Sequence, residues 1–452
     1  MSSILSCMQE SNHIQYNISI FHKYTHFFLQ KQKSLTIYRK NILFMKSYIH
    51  LYKTNDKFTE AYNGPDYIEP WLSLTEENME VNYNKPKLID FSTEPLTFNI
   101  LSAGTINWTA SNKAATKTID YKLNDNEWAS IASNTGSSAP TITVNPGDKL
   151  QFKGNNEQYG PSTSAYNSFS GSTALFEAEG NIMSLIYGDD FKNNSTISSK
   201  YAFFGLFRGC TKLVSAKNLV LPAITLTTGC YSYMFRDCTS LTTAPELPAN
   251  TLKPICYQYM FQGCTSLTTA PSVLPATTLA YSCYVSMFDG CKNLTTAPAL
   301  PATTLTDYCY DYMFQGCTSL TTAPELPATT LTQYCYECMF NGCTSLTTAP
   351  ELPATTLASY CYKNMFQNCT SLTKAPELPA TTLAGNCYSY MFQGCTSLNY
   401  IKCLATNISA SNCTYDWVYN VASTGTFVKA SSMTSWTTGT SGIPTGWTVQ
   451  DA

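Results

Sequence analysis

The chain has 452 residues, only 13% of them charged, and a formal net charge of −3. Tracking a nucleic-acid backbone needs a basic stripe, and between Lys200 and Tyr400 nine basic residues stand against nine acidic ones, so nucleic acid is excluded as an expected partner. No stretch of eighteen apolar residues occurs, and the N-terminus lacks an apolar run as long as a signal-peptide core, so neither a membrane span nor Sec export is expected.

Residues 1–44 interleave Lys23, Lys31, Lys33, Arg39 and Lys40 with aromatic residues and carry one acid, Glu10. They read as a disordered extension, or as residues translated from upstream of a start at Met45. Residues 45–94 form an N-terminal leader region. From Pro95, short alternating runs separated by turns predict strands at Leu96–Ile100, Thr105–Thr109, Thr118–Leu123, Trp128–Ile131, Thr141–Val144 and Lys149–Phe152. That spacing suits a small immunoglobulin-like β-sandwich over residues 95–173. Its last stretch, Pro161–Thr173, is rich in Ser, Asn, Gly and Tyr and reads as a linker.

Beyond it, leading cysteines recur at Cys230, Cys256, Cys283, Cys309, Cys335, Cys361, Cys387 and Cys413, a 26-residue period broken by one slip at Ser272–Val273. A period of this length marks a stacked array. One unit offers about four large apolar side chains, in the second Met260, Phe261, Leu267 and Leu279, each worth roughly 1.5–3 kcal/mol when buried. Ordering its backbone costs roughly 1–2 kcal/mol per residue, so a unit must stack on its neighbours. Fixed Met-Phe and Tyr columns are read as core. The strand is placed at Ser-Leu-Thr-Thr-Ala, as in Ser266–Ala270, and ends at the following proline, which lacks a ladder donor. The Tyr-x-x-Met-Phe segment is read as an irregular or short helical return. The array is assigned to residues 174–424, about nine coils with their caps, and a Thr/Ser/Gly/Trp-rich tail, 425–452, is expected to cover the last. The fold class is thus α/β or mainly β.

The two cysteines of a unit lie eight apart, without the paired spacing and histidines of a zinc site. Cys335 and Cys338 are the near exception, and they lack a second pair at matching distance. Reduced, buried thiols are expected, with some disulfides as the alternative if the protein meets oxygen, and with no metal and no cofactor; the odd total of 19 leaves at least one thiol free or intermolecular. Catalysis finds no support either. The regularly placed acids Glu246, Glu325, Glu351 and Glu377 sit in a Pro-Glu-Leu-Pro context that marks exposed turns, and Asp189-Asp190 reads as turn capping rather than a cation site.

At Met313–Leu320 and Met391–Leu398 the motif Met-Phe-x-Gly-Cys-Thr-Ser-Leu resembles the leucine-rich repeats of BspA-like bacterial surface proteins, over roughly Tyr201–Val421. The resemblance implies a right-handed leucine-rich-repeat solenoid of the kind found in adhesins and in gut Bacteroidetes and phage-encoded proteins, and it brings no catalytic residues. The unit here runs about three residues longer than the common one, with Ala-Pro-Glu-Leu-Pro intervening. Tyr62–Asn84 resembles a leader carried by such proteins in gut Bacteroidetes and their phages, which points to a cell surface or virion.

Binding is then sought where the units disagree. The residues before each leading Cys and after each Tyr vary, and they are rich in Tyr, Asp, Asn and Gln. Tyr308, Tyr334 and Tyr360, one above another, with Asp307 and Gln333, are the expected contact residues for a host-surface glycan or protein, through stacking and hydrogen bonding. A structural spacer and a polysaccharide depolymerase are the rival readings, and oligomerisation is left open.

Overall fold

The computed structural model describes residues 90–452, together with the backbone of three short strands, Ile14–Gln15, Leu51–Lys53 and Thr59–Glu60. Those three pair antiparallel in chain order. The leader motif at 62–84 and the four histidines lie outside the described residues, as does the basic stretch but for one strand. All that follows concerns the second part, Ile89–Ala452.

Alternating sequence produces a six-stranded sheet in the order Leu213–Val220, Phe176–Asn181, Leu96–Ile100, Lys149–Lys153, Thr118–Leu123, Ala129–Ala132. Two small ribbons, Gly104–Asn107 with Thr141–Val144 and Thr109–Ala110 with Asn167–Ser168, complete this region. Inward rings of Phe98, Trp108, Phe152 and Phe176 make its core.

Residues 161–173 are packed, which corrects their reading as a linker. Asn167 and Ser168 pair in a ribbon, and the buried Asn167 amide donates to the carbonyls of Ala115 and Tyr159. Phe169 is fully buried, its centroid 4.8–4.9 Å from the rings of Phe98, Trp108 and Phe152. The polar composition is misleading because some of its partners lie about fifty residues away in sequence.

The sheet runs on into the array. Phe176–Asn181 pairs parallel with Leu213–Val220, and Ser215 bridges in parallel to Thr243 of the next coil. Along each coil the Cys-Tyr-x-x-Met-Phe segment alternates its amide donors. In the unit from Ile255 to Cys264, the N–H groups of residues 255, 257, 259, 261 and 263 donate to carbonyls one coil onward, at 2.8–3.0 Å. Those of 256, 258, 260, 262 and 264 donate three residues back within the coil. Every fourth residue is left-handed: Ile255 at φ 54°, Tyr259 at 56° and Gly263 at 73°. The expected short helical return is therefore a chain of tight turns that is also an intercoil ladder.

On the Leu-Thr-Thr side the expected strand contracts to single parallel bridges, Thr243 to Thr269, Thr296 to Thr322, and Thr322 to Thr348. Leu267 N–H is taken by Cys264 O in the closing turn and Pro271 has no N–H, so too few donors remain for a longer ladder. In the last full unit the ladder does lengthen: Lys374–Leu378 runs through Pro376, which falls at a register shift against Tyr400–Cys403. An irregularity is where a strand tolerates proline. Thr426–Lys429 and Thr448–Asp451 extend this sheet in parallel, and Trp436 stacks on Trp417 at 5.7 Å, so the tail covers the final coil.

Inside the coils the fixed residues stack in columns. Successive Phe rings from Phe207 to Phe392 lie 5.2–5.8 Å apart and within 9° of parallel. Both Cys columns, the leading Tyr and the Met are buried, as expected. The Leu and Ala of Glu-Leu-Pro-Ala, such as Leu326 and Ala328, are buried too. The proline-flanked stretch thus contributes to the core as well as to the turn.

Candidate functional site

The left-handed positions decide what the turn face displays. A residue there costs about 1–2 kcal/mol of backbone energy unless it is Gly, Asn or Asp. Yet Tyr308, Tyr334 and Tyr360 occupy such positions at φ 59°, 57° and 64°. Their rings form one partly exposed row, Tyr308 to Tyr334 at 4.5 Å and 6°, Tyr334 to Tyr360 at 4.6 Å and 10°. Tyr281, half-exposed, meets Tyr308 edge-on at 5.8 Å. Asp307 Oδ1 accepts from the Gln333 backbone N–H at 3.0 Å, which ties two coils together beside the row.

The structure thus brings all five expected residues to one strip, with one physical revision. Rings this close cover each other's faces, so the row presents edges and hydroxyls, while stacking onto a sugar face requires an open ring. Desolvation, then the neighbouring tyrosine, raises the Tyr308 and Tyr334 hydroxyls above their ordinary value, which keeps them protonated donors.

Behind the row lies a polar group that the repeat pattern placed on the variable surface and that the structure buries. Asp311 and Glu337 are 7% and 6% exposed, and Lys363 Nζ contacts Glu337 Oε1 at 2.9 Å. Asp311 Oδ1 has no partner, and burial first, then the Glu337 charge, pushes the Asp311 carboxyl up to about 8 against the opposing pull of Lys363. The first position after the Tyr is buried at Ser232, Val285, Asp311, Glu337 and Ser389 and partly buried at Gln258 and Lys363. Inward direction follows from the four-residue spacing of the left-handed turns, which no local propensity reveals.

The other candidates are structural. Glu246, Glu325, Glu351 and Glu377 are exposed; Glu246 accepts from Ser272 and Glu377 pairs with Lys402 at 3.1 Å. Asp190 accepts from the amides of Asn193 and Asn194 at 2.8 Å, while Asp189 pairs with Lys153. An open groove of about 290 Å³ between Phe91, Leu219 and Glu246 gathers no constellation of catalytic groups. No cluster of three metal-ligating side chains exists among the described residues. The eighteen described cysteines are free and buried. Two residues passed over in the sequence, Arg208 and Arg236, lie in neighbouring coils with their guanidinium groups 5.2–5.8 Å from tyrosine ring centroids on this same turn face.

The family model for the BspA type leucine rich repeat region matches in six copies across residues 190–321 and 308–420, just over half of the chain. The chain belongs to the BspA-type leucine-rich-repeat family. Its matched BspA-type repeats start within the short 3₁₀ turn Gly188–Asn193 and end shortly before the Trp-rich tail takes over. A solved leucine-rich repeat protein from Bacteroides ovatus is similar at 16% identity and a TM-score of 0.30, covering 62% of this chain and 72% of that one. No curated protein matches the chain.

Proposed function

We propose that this BspA-type repeat protein is a non-enzymatic adhesin of a cell surface or virion, whose solenoid recognises a host-surface glycan or protein. The reading rests on the tyrosine row. Left-handed non-glycine residues recur throughout the array, but at this position three adjacent coils carry Tyr and stack it into one partly exposed row, and that stacked row supports the reading. Tyr308, Tyr334 and Tyr360 offer a line of hydroxyls, one per coil; beside them stand the Asp307 carboxylate, one oxygen of which is held by the Gln333 backbone N–H, and the exposed Gln333 side chain. The partner is engaged by hydrogen bonds along the ring edges. The β-region ahead of the array, continuous with its sheet, orients that face.

Replacing all three tyrosines with Asn, which tolerates the left-handed backbone, should abolish attachment to host cells or to a glycan array while leaving the melting temperature within a few degrees of wild type. Undiminished attachment rejects the row as the contact, and binding to nothing on such an array returns the protein to the role of spacer. Loss of polymer viscosity on incubation would instead mark a depolymerase.

A further inference from the structure

Three arginines occur in the whole chain, and two of them, Arg208 and Arg236, fall at the same position of neighbouring coils. In later coils that column reads Gln262, Asp289, Gln315, Asn341, Gln367 and Gln393. Several of those satisfy one another: Gln262 Nε2 donates to Asp289 Oδ2 at 2.7 Å and Asn341 Nδ2 to Gln367 Oε1 at 2.9 Å. The arginines have no such closure. Neither guanidinium donates a hydrogen bond to the protein among the described residues. Asp237 comes within 3.4 Å of Arg236 Nε without the alignment for a bond, and no carboxylate pairs with Arg208 there.

Rings hold both side chains in place. Arg208 lies 5.2 Å from the Tyr166 centroid and 5.3 Å from Tyr233; Arg236 lies 5.3 Å from Tyr233 and 5.8 Å from Tyr259. Tyr233 and Tyr259 are themselves 4.7 Å apart. A guanidinium packed against aromatic rings is pre-organised and weakly hydrated, and its fork matches a carboxylate or sulfate bidentately. Such a pair of forks, one per coil and about 5 Å apart by the spacing of paired strands, presents two anion sites in a line, edged by tyrosine hydroxyls.

We propose that Arg208 and Arg236, with Tyr166, Tyr233 and Tyr259, form a second binding site, for an acidic polysaccharide whose carboxylate or sulfate groups repeat along the chain. Regular spacing of charge in the ligand matches regular spacing in the coils, and the sugar hydroxyls take the tyrosine edges. The site uses none of the residues of the Tyr308 row and stands whether or not that row binds anything.

Native affinity electrophoresis of the full chain, through gels containing polygalacturonate, heparin, poly-L-glutamate or dextran, tests this. Retardation is expected with polygalacturonate if carboxylate is read, or with heparin if sulfate is, weakening as salt rises, and not with dextran. The double variant Arg208→Gln/Arg236→Gln, which installs the residue other coils carry, should weaken retardation at least 10-fold at an unchanged melting temperature. Should it not fold, Arg208→Lys/Arg236→Lys keeps the charge, loses the fork, and should bind several-fold more weakly. Unchanged binding by the folded variant, equal retardation by dextran, or retardation by poly-L-glutamate alone overturns the assignment. The Tyr308/Tyr334/Tyr360 variant should retain full polygalacturonate or heparin binding, so the two sites fail independently.

Discussion

Asp311 is a side chain whose place in the fold is costly, because its carboxyl is buried with one oxygen unpartnered. Its carboxyl is buried beside Glu337, faces Lys363, Tyr259, Tyr312 and Cys338, and titrates near 8 instead of its ordinary 3.8. The folded chain therefore holds this proton longer than the unfolded chain does, so the stability it permits is full below pH 3.8 and declines as pH climbs to about 8. Asp311→Asn removes that decline. Urea unfolding should find the variant more stable than wild type by a few kcal/mol at pH 8.5, each tenfold difference in proton affinity being worth about 1.4 kcal/mol, and nearly equal at pH 4; a gap that is the same at both pH values refutes the account. Of the site around it, the vertical alignment of Tyr308, Tyr334 and Tyr360 was legible from the period alone. What was not legible is which atoms the row offers, because ring orientation depends on the coil rise and the left-handed φ. Arg208 and Arg236 could have been found by counting arginines, but the first unit lacks its leading Cys, and that obscured their shared column.

At the scale of the coil, the fixed residues were legible and the backbone between them was not. Cys, Met, Phe and Leu repeat because each must fill the same space in every layer, and such a constraint shows in the sequence. The left-handed turns carry Tyr, Ile or Ser as often as Gly, so only the Gly263, Gly290, Gly316, Gly342 and Gly394 column announced them. The second Cys column has a further reason to recur: each Sγ contacts the Phe carbonyl of the preceding coil, Cys317 to Phe288 at 3.2 Å and Cys343 to Phe314 at 3.1 Å. Burial pushes the Cys343 and Cys395 thiols up to about 12, which leaves almost no thiolate at neutral pH. Iodoacetamide at pH 7.5 should therefore leave the array cysteines unmodified in the native protein and alkylate them all in urea, as read by intact mass. Rapid native labelling of either column would mean that the coils open far more often than their packing implies.

At the scale of the whole array, adjacent full units are joined by the same main-chain bonds between their turn segments. Removing residues 335–360, one period, should bring the Tyr310 N–H to Cys361 O and the Phe314 N–H to Met365 O in place of their present acceptors, Cys335 and Met339. Stability in such arrays is close to a sum over repeats and their interfaces. The shortened protein should keep its circular dichroism per residue and melt only a few degrees lower. Removing 335–347, half a period, should abolish the cooperative transition, and equal damage from both deletions would show that the coils are not interchangeable. Alternating amides carry the same property into inheritance. Half of the donors in each turn segment bind the next coil through main chain alone, so a change of outward side chain leaves that lattice untouched. A gene built this way can gain, lose or reshuffle whole periods, and revise the face it turns to its surroundings, without having to solve the folding problem again.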